Sequence, residues 1–441
     1  MKLNIVIESN KVLIITYYWP PSGGAGVQRW LKFVKYLPEF NWQPVVYTPE
    51  NPEAPAADVS LFNDIPKNIE IIKLPIWEPY LFYKKFTGKS KDDKINSGFL
   101  AEKKSNPFLE KISVFIRGNF FIPDARKFWI RPSIKYLANY LIDNPVDIVV
   151  STGPPHSMHL IALGLKKKLN IKWIADFRDP WTNIDYYKDL KLTRFSDNKH
   201  KRLEKEVLLN ADFVISVGKT IADEFKQLGA KNIEVITNGF DSDDIPVSRP
   251  SLDSVFSIVH LGAINKDRNH PLFWEAIKQL LDENNEFKNK LEIKLIGKVD
   301  NSVFQQIDDL NLSAFVKHTP YISHNQVLGE LMKARLLYLP INNTPNSKGI
   351  VTGKVFEYLA SQRPILAIGR VDGDIAEIVT ETGAGSIFDF NDLSGIKEYL
   401  STSFSKFINV TDQSYSFNVD LYSRKSLTGK LCKLFEKQVD E

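Results

Sequence analysis

The chain has 441 residues, 43% hydrophobic and 25% charged, which exceeds the ~250 to 300 residues at which single cores stop growing, so two globular domains are expected. Lysines and arginines number 57 against 53 acidic residues, and the net charge of +4 is too mild to imply nucleic acid as a partner. A single cysteine, Cys432, excludes an internal disulfide framework and fits a reducing compartment.

The opening stretch "MKLNIVIESNKVLIITYYWPP" has an apolar run far below the ~20 residues of a membrane span and no small-residue cleavage site after it, so a first strand is expected there. No other stretch reaches spanning length, and a soluble or surface-attached chain is expected. From Val12 to Tyr18 a β-rich run ends in "WPPSGGAG", after which Val27, Trp30, Leu31, Val34 and Leu37 recur at helical spacing. Residues 76 to 131 interrupt this regularity with interleaved aromatic and basic residues. Such a segment suits a membrane-surface or acceptor-binding insertion, or a helical excursion whose aromatics fill a local core. The alternation then resumes: "VDIVVSTG" precedes a helix from about His156, "IKWIADF" follows, and "ADFVISVG" precedes "KTIADEFKQLG". Strands alternating with helices imply a parallel sheet covered on both faces.

The Asp-, Ser- and Pro-rich stretch "IEVITNGFDSDDIPVSRPSLDS" closes this first domain, and a second begins near residue 245 with "FSIVHLG", "LEIKLIG", "ARLLYLPI" and "RPILAIG". The expected division is 1–244, 245–412, and a terminal helix over 413–441 that can pack on either domain. Ligands of such sheets bind at the carboxyl ends of the strands, so two facing Rossmann-like domains would enclose a cleft.

Two loops offer helix N-termini suited to anions. In "SGGAGV", Gly23, Gly24 and Gly26 let a phosphate or sugar approach the backbone, or simply form a strand-to-helix turn. In "SKGIVTGKVFEYLA" only three residues separate Gly349 from Gly353, and Val355 stands where a P-loop needs Ser or Thr, so a P-loop is rejected. What remains is Gly353 at a helix start, Lys354 as a phosphate contact, and Glu357 one turn on. A carboxylate there accepts hydrogen bonds from two adjacent ribose hydroxyls, or merely favours the helix dipole.

The stretch "GKVFEYLASQRPILAIG" resembles the nucleotide-binding segment of the retaining glycosyltransferases of family four, which have the GT-B fold. "YYWPPSGGAGVQRWLKFVKYL", "ITNGFD" and "VHLGAINKDRNHPLFWEAI" are similar to that family's opening loop and helix, interdomain strand end, and first strand and helix of the nucleotide domain. "STGPPHSMHLIALGLKKK" and "IADFRDPW" look like acceptor-domain segments of a subgroup. The resemblance implies two facing Rossmann-like domains, with Glu357 on the ribose of a nucleotide-sugar donor. Arg268, with Lys266 or Lys354, would neutralise the diphosphate, and Gly24, Gly26 and Gly353 would lie beside it. His156 would approach the transferring sugar, or cap its helix, while Arg178 and Asp179 would line the acceptor side, or pair with each other. Catalysis would rest on His156, Arg268 and Lys354.

One position departs from the pattern. The family's first glutamate, eight positions before Glu357, is Gly349 here, so the contact to the donor sugar is expected from backbone N–H groups around Lys348 to Val351. Asp372 and Asp374 in "VDGD" suit a helix start rather than a metal, and seven scattered histidines give no zinc spacing, so no metal or other cofactor is expected.

The expected activity is that of a retaining hexosyltransferase moving a sugar from a nucleotide-diphosphate donor to a glycan or lipid-linked acceptor in surface polysaccharide synthesis. The expected setting is cytoplasmic, at the inner face of a membrane, with peripheral contact through 76–131. The competing readings are a nucleotide-sugar epimerase or hydrolase on the same fold, and a catalytically silent nucleotide-sugar-binding protein.

Overall fold

In a computed structural model, the described residues are 9–53, 57–79, 107–320, 322, 324–409 and 415–440. They divide into two compact units, Met1–Thr237 with Leu427–Glu441, and Asn238–Ser426. The division falls seven residues before the expected one at 244, and the last helix joins the first of the two domains on which it was expected to pack.

The first unit is a seven-stranded parallel sheet of β1 (Asn10–Ile15), β2 (Trp42–Pro49), β3 (Glu70–Leu74), β4 (Ile148–Gly153), β5 (Trp173–Phe177), β6 (Phe213–Ser216) and β7 (Ile233–Val235), ordered β3-β2-β1-β4-β5-β6-β7. The strand order reverses between β1 and β4, the place where open α/β sheets bind ligands. Strands β4 and β5 are buried at every position, as a sheet covered on both faces requires. Alternation sends Leu13, Ile15 and Val149 into one core and Val12, Ile14 and Val150 into the other.

Helix α1 (Ala25–Tyr36) presses Val27, Trp30, Leu31 and Val34 onto the second of these cores. Helices α2 (Pro107–Phe120) and α3 (Lys127–Asp143) end the irregular insertion; its residues 80–106 lie outside the described residues. The insertion's aromatics split in two. Trp129 is buried and stacks on Tyr47 at 4.9 Å, as the local-core reading required, whereas Trp77, Phe120 and Phe128 stay exposed. Helices α4 (Ser157–Leu169), α5 (Arg194–Asn210) and α6 (Lys219–Gln227) complete the layers.

The second unit is a six-stranded parallel sheet of β8 (Phe256–Leu261), β9 (Leu291–Ile296), β10 (Val316–Thr319), β11 (Leu336–Pro340), β12 (Ile365–Ile368) and β13 (Gly385–Phe388), ordered β10-β9-β8-β11-β12-β13. Its order reverses between β8 and β11. The covering helices are α7 (Pro271–Glu283), α8 (Asn285–Lys290), α9 (Asn301–Asp309), α10 (His324–Lys333), α11 (Lys354–Ser361), α12 (Asp374–Thr382) and α13 (Leu393–Asn409). The terminal helix α14 (Arg424–Asp440) returns Leu427, Leu431, Cys432, Leu434 and Phe435 to the first unit's core, where Phe435 meets Trp42 edge-on at 4.8 Å. Each fully buried side chain of this kind stabilises by about 1.5–3 kcal/mol, so this seam is a substantial part of the unit's core. Cys432 is buried there, and burial pushes its thiol up to about 12.

Candidate active site

In the second unit the loops after β8 and β11 converge at the reversal point. The chain leaves β8 through Gly262, whose φ of +103° is strained for any residue with a side chain. A Cβ there would also lie 2.3 Å from Cε of Lys354. That lysine opens α11, and its Nζ donates to Ala263 O at 3.0 Å. Arg268 reaches the same carbonyl through a guanidinium N–H at 3.1 Å, while its Nε donates to Asn342 Oδ1 at 2.5 Å. Two cations thus meet on one neutral acceptor, and among the described residues no carboxylate pairs with Lys354. Burial first, and then the charge of Arg268, lower the Lys354 ammonium to about 7, although Glu357 one turn along α11 opposes this.

Behind the lysine lies a neutral network. His260 Nδ1 bonds Tyr338 O at 2.9 Å, and burial, with Lys354 adjacent, holds its imidazole well below the usual histidine range. Tyr358 OH accepts from Leu261 N at 2.9 Å and donates to Tyr338 O at 3.2 Å, tying α11 to the ends of β8 and β11. Gly353 precedes α11 with an ordinary φ of −57°, and a Cβ there would meet nothing within 4 Å. The backbone does not require glycine at that point; what a side chain would take away is open space at the helix N-terminus. Lys266 is exposed, two residues before Arg268, and does not join the convergent pair.

In the first unit the corresponding loops follow β1 and β4. Gly24, just before α1, has φ +92° and open space beyond its Cα, so glycine is required there by conformation. Arg178 braces the two loops: its guanidinium donates to Gly26 O at 2.8 Å and to Pro154 O. The residue expected on the acceptor side therefore spends its donors on backbone. Asp179 beside it is exposed and lines a cavity of about 300 Å³ together with Tyr18, His156, Trp181, Arg117 and Phe121.

His156 precedes α4 but makes no side-chain cap. That role belongs to Asp124, whose carboxylate accepts from Ser157 N at 2.9 Å and Ser157 Oγ at 2.8 Å. His156 instead stacks face to face on Trp181 at 4.5 Å and 2°, with Nδ1 buried and unpartnered. Burial, and next the neighbouring His159, push its imidazole well below the usual range, so the ring is neutral at pH 7.

Beneath these loops Asp176 accepts from Arg29 at 2.8 Å, Trp30 Nε1 at 2.8 Å and Thr152 Oγ1 at 2.8 Å, all fully buried. Burial alone would raise this carboxyl, but Arg29 and the hydrogen bonds together hold it below its ordinary value. Arg29 also donates to Ile236 O and Thr237 O at 2.8 Å, anchoring the strand that ends the unit.

The sequence profile of Glycosyltransferase Family 4 matches residues 23–244. The chain belongs to this family. No curated protein matches it by sequence. A glycosyltransferase from Rickettsia africae ESF-5 superimposes over 98% of this chain and 99% of its own, with a TM-score of 0.59 and 14% identity. Sucrose-phosphate synthase from Thermosynechococcus elongatus does so over 97% and 98%, with a TM-score of 0.56 and 11% identity. WaaG, a glycosyltransferase involved in lipopolysaccharide biosynthesis, covers 96% and 99%, with a TM-score of 0.50 and 13% identity. At these identities the likeness establishes the fold, the two-domain GT-B fold of glycosyltransferases.

The segment around Gly349, where backbone contacts to the donor sugar were expected, folds as a turn. Ser347–Gly349 form a 3-10 turn in which Gly349 N donates to Asn346 O at 3.1 Å and Ile350 N to Ser347 O at 3.3 Å. Of the amides from Lys348 to Val351, these two close the turn. Lys348 lies 3.2 Å from Asp372, which also pairs with Arg370. Among the described residues no cluster of three or more His, Cys, Asp or Glu is placed to hold a metal ion, and no helix is long and apolar enough to cross a membrane.

Proposed function

We propose that this family member is a retaining hexosyltransferase that moves a sugar from a nucleotide-diphosphate donor to a glycan or lipid-linked acceptor in surface polysaccharide synthesis. The observation that carries the reading is the convergence of Lys354 and Arg268 on Ala263 O beside the N-terminus of α11, at the sheet's reversal point. A diphosphate gives Lys354 a charged partner, adds a contact to Arg268, and lies at the helix N-terminus, whose dipole favours an anion. Glu357, in the first turn of the same helix, accepts the two ribose hydroxyls.

In this mechanism the bond from the sugar's anomeric carbon to the phosphate oxygen breaks as the acceptor oxygen bonds to the same face. The acceptor's proton passes to the departing phosphate, and a nucleoside diphosphate leaves. Lys354 and Arg268 stabilise the charge that develops on the leaving group, which is where electrostatic catalysis is strongest, and no metal ion is invoked. Neutral His156, held flat by Trp181, donates or accepts a hydrogen bond at the sugar without competing for the proton. The exposed aromatics Trp77, Phe120 and Phe128 support peripheral attachment at the inner face of a membrane.

The test is NMR of the product formed from a nucleotide sugar and a membrane-derived acceptor. The same anomeric configuration in donor and product is expected; the opposite one overturns retention. Free or epimerised sugar formed without any acceptor overturns transfer.

A further inference from the structure

The cavity of the first unit opens beside a patch of cations that no carboxylate among the described residues pairs with. Phe121 and Arg117 line the cavity. Over Phe121 stands the ammonium of Lys127, 5.3 Å from that ring and 4.9 Å from the ring of Phe128. Phe128 in turn meets Trp77 edge-on at 4.9 Å, and these two rings are 43% and 55% exposed, with Phe120 at 63%. Cavity, cation and exposed aromatics therefore form one continuous strip.

The charges beside the exposed rings are positive, while the carboxylates Asp124 and Asp179 line the cavity. Lys127 donates to the neutral carbonyl of Phe120 at 2.5 Å. Among the described residues no carboxylate pairs with Lys127, Arg117 or Lys199. The carboxylates nearby are already engaged: Asp124 caps α4, and Glu78 lies 3.0 Å from Arg126 and accepts from Tyr17. Burial first, and then the like charge of Lys199, lower the Lys127 ammonium, and a bound anion relieves both effects. Lys199 adjoins His200, itself a cavity-lining residue.

We infer that this strip binds a sugar acceptor carried on a lipid diphosphate, with the sugar in the cavity, the diphosphate on Arg117, Lys127 and Lys199, and the first hydrocarbon units against Phe128 and Trp77. The inference rests on the glycosyltransferase reading for the role of the ligand, and it narrows the acceptor class within it. A free glycan leaves the cations unanswered. A general anionic membrane surface answers the charge but leaves a cavity of sugar-compatible size unused.

The test is titration calorimetry on the full chain with farnesyl diphosphate, farnesol and inorganic pyrophosphate as probes, together with neutral and phosphatidylglycerol vesicles. Farnesyl diphosphate is expected to bind at least about tenfold more tightly than either fragment. Arg117→Ala and Lys127→Ala are each expected to weaken it about tenfold or more, at unchanged melting temperature and unchanged farnesol affinity. Trp77→Ala is expected to weaken farnesyl diphosphate but not pyrophosphate. Equal affinity for farnesol and farnesyl diphosphate, indifference to both cation variants, or binding to anionic vesicles with none to farnesyl diphosphate overturns the inference. Lys354→Ala separates the two anion sites: retained farnesyl diphosphate binding supports the strip, and its loss relocates the probe to the second unit and overturns the strip. A chain that binds farnesyl diphosphate here but no nucleotide fails the donor reading alone.

Discussion

Lys354 makes a prediction about pH that can be worked from its surroundings. An ordinary lysine titrates near ~10.4; this one is brought to about 7 by burial and by Arg268. A diphosphate placed on the two cations reverses the electrostatic part of that effect and replaces the neutral Ala263 carbonyl with a charged acceptor, so the ammonium becomes fully charged in the complex. Between pH ~7 and the raised pKa of the complex, binding therefore takes up one proton. Affinity must fall as pH rises through that window, by up to about tenfold per pH unit. Below it the lysine is already charged and its contribution levels off. The neighbours do not imitate this behaviour: burial holds His260 neutral and pushes the Tyr358 hydroxyl above the window, and arginine stays protonated throughout. Calorimetric titration with nucleoside diphosphates at pH 7.5, 8.5 and 9.5, in buffers of differing ionisation enthalpy, reads both slope and proton count. Lys354→Met should lose about one to two orders of magnitude in affinity at pH 7, in line with a charged contact of ~1.5–3 kcal/mol, and should lose the slope. A flat wild-type profile, or a variant that keeps the slope, refutes the argument.

Other substitutions separate site from scaffold. Gly353→Ala should leave stability within about 0.5 kcal/mol, because its φ is ordinary and its Cβ meets nothing, yet should weaken nucleotide binding at least about tenfold by filling the space at the helix end. Denaturation and nucleotide titration of the same sample check it. Gly262→Ala, at φ +103°, should destabilise by about 1–3 kcal/mol in urea and also weaken nucleotide binding, since Lys354 must move off the new methyl. Asp176→Asn leaves Arg29 buried without its charge partner and should cost about 3–5 kcal/mol, whereas Lys201→Ala, which breaks an exposed pair with Asp197, should cost under about 0.5 kcal/mol in the same assay.

What was legible in the sequence was local. A glycine followed by a lysine at a helix start, and the helical spacing of Val27, Trp30, Leu31 and Val34, are signals carried within a few residues, and the structure has both elements where they were expected. The short edge strand β10, "VKHT", escaped because its residues are mostly exposed and carry no apolar run. The buried polar networks escaped for a different reason. Arg29 and Asp176 stand 147 residues apart, and Asp124 caps a helix 33 residues downstream, so neither partner advertises the other. A signal was present in one case: an arginine inside the apolar face "VQRWLKFV" requires a buried acceptor, and the aspartate within the strand "IADF" is the same puzzle seen from its partner.

Those networks also explain why the two units differ in what they can do with charge. In the first unit the buried cations beneath the loops are answered by the chain itself: Arg29 by Asp176, Arg126 by Glu78, and Arg178 by two backbone carbonyls. In the second, Lys354 meets Arg268 at the neutral Ala263 oxygen with no carboxylate paired to the lysine among the described residues, and burial has already cost the lysine part of its charge. A fold gains nothing in stability from such an arrangement, since a buried ammonium without a carboxylate is a net cost. On the proposed donor reading, binding an anion offsets that cost, and a diphosphate on which negative charge develops in the transition state, before the acceptor's proton reaches it, is the anion for which the arrangement does most.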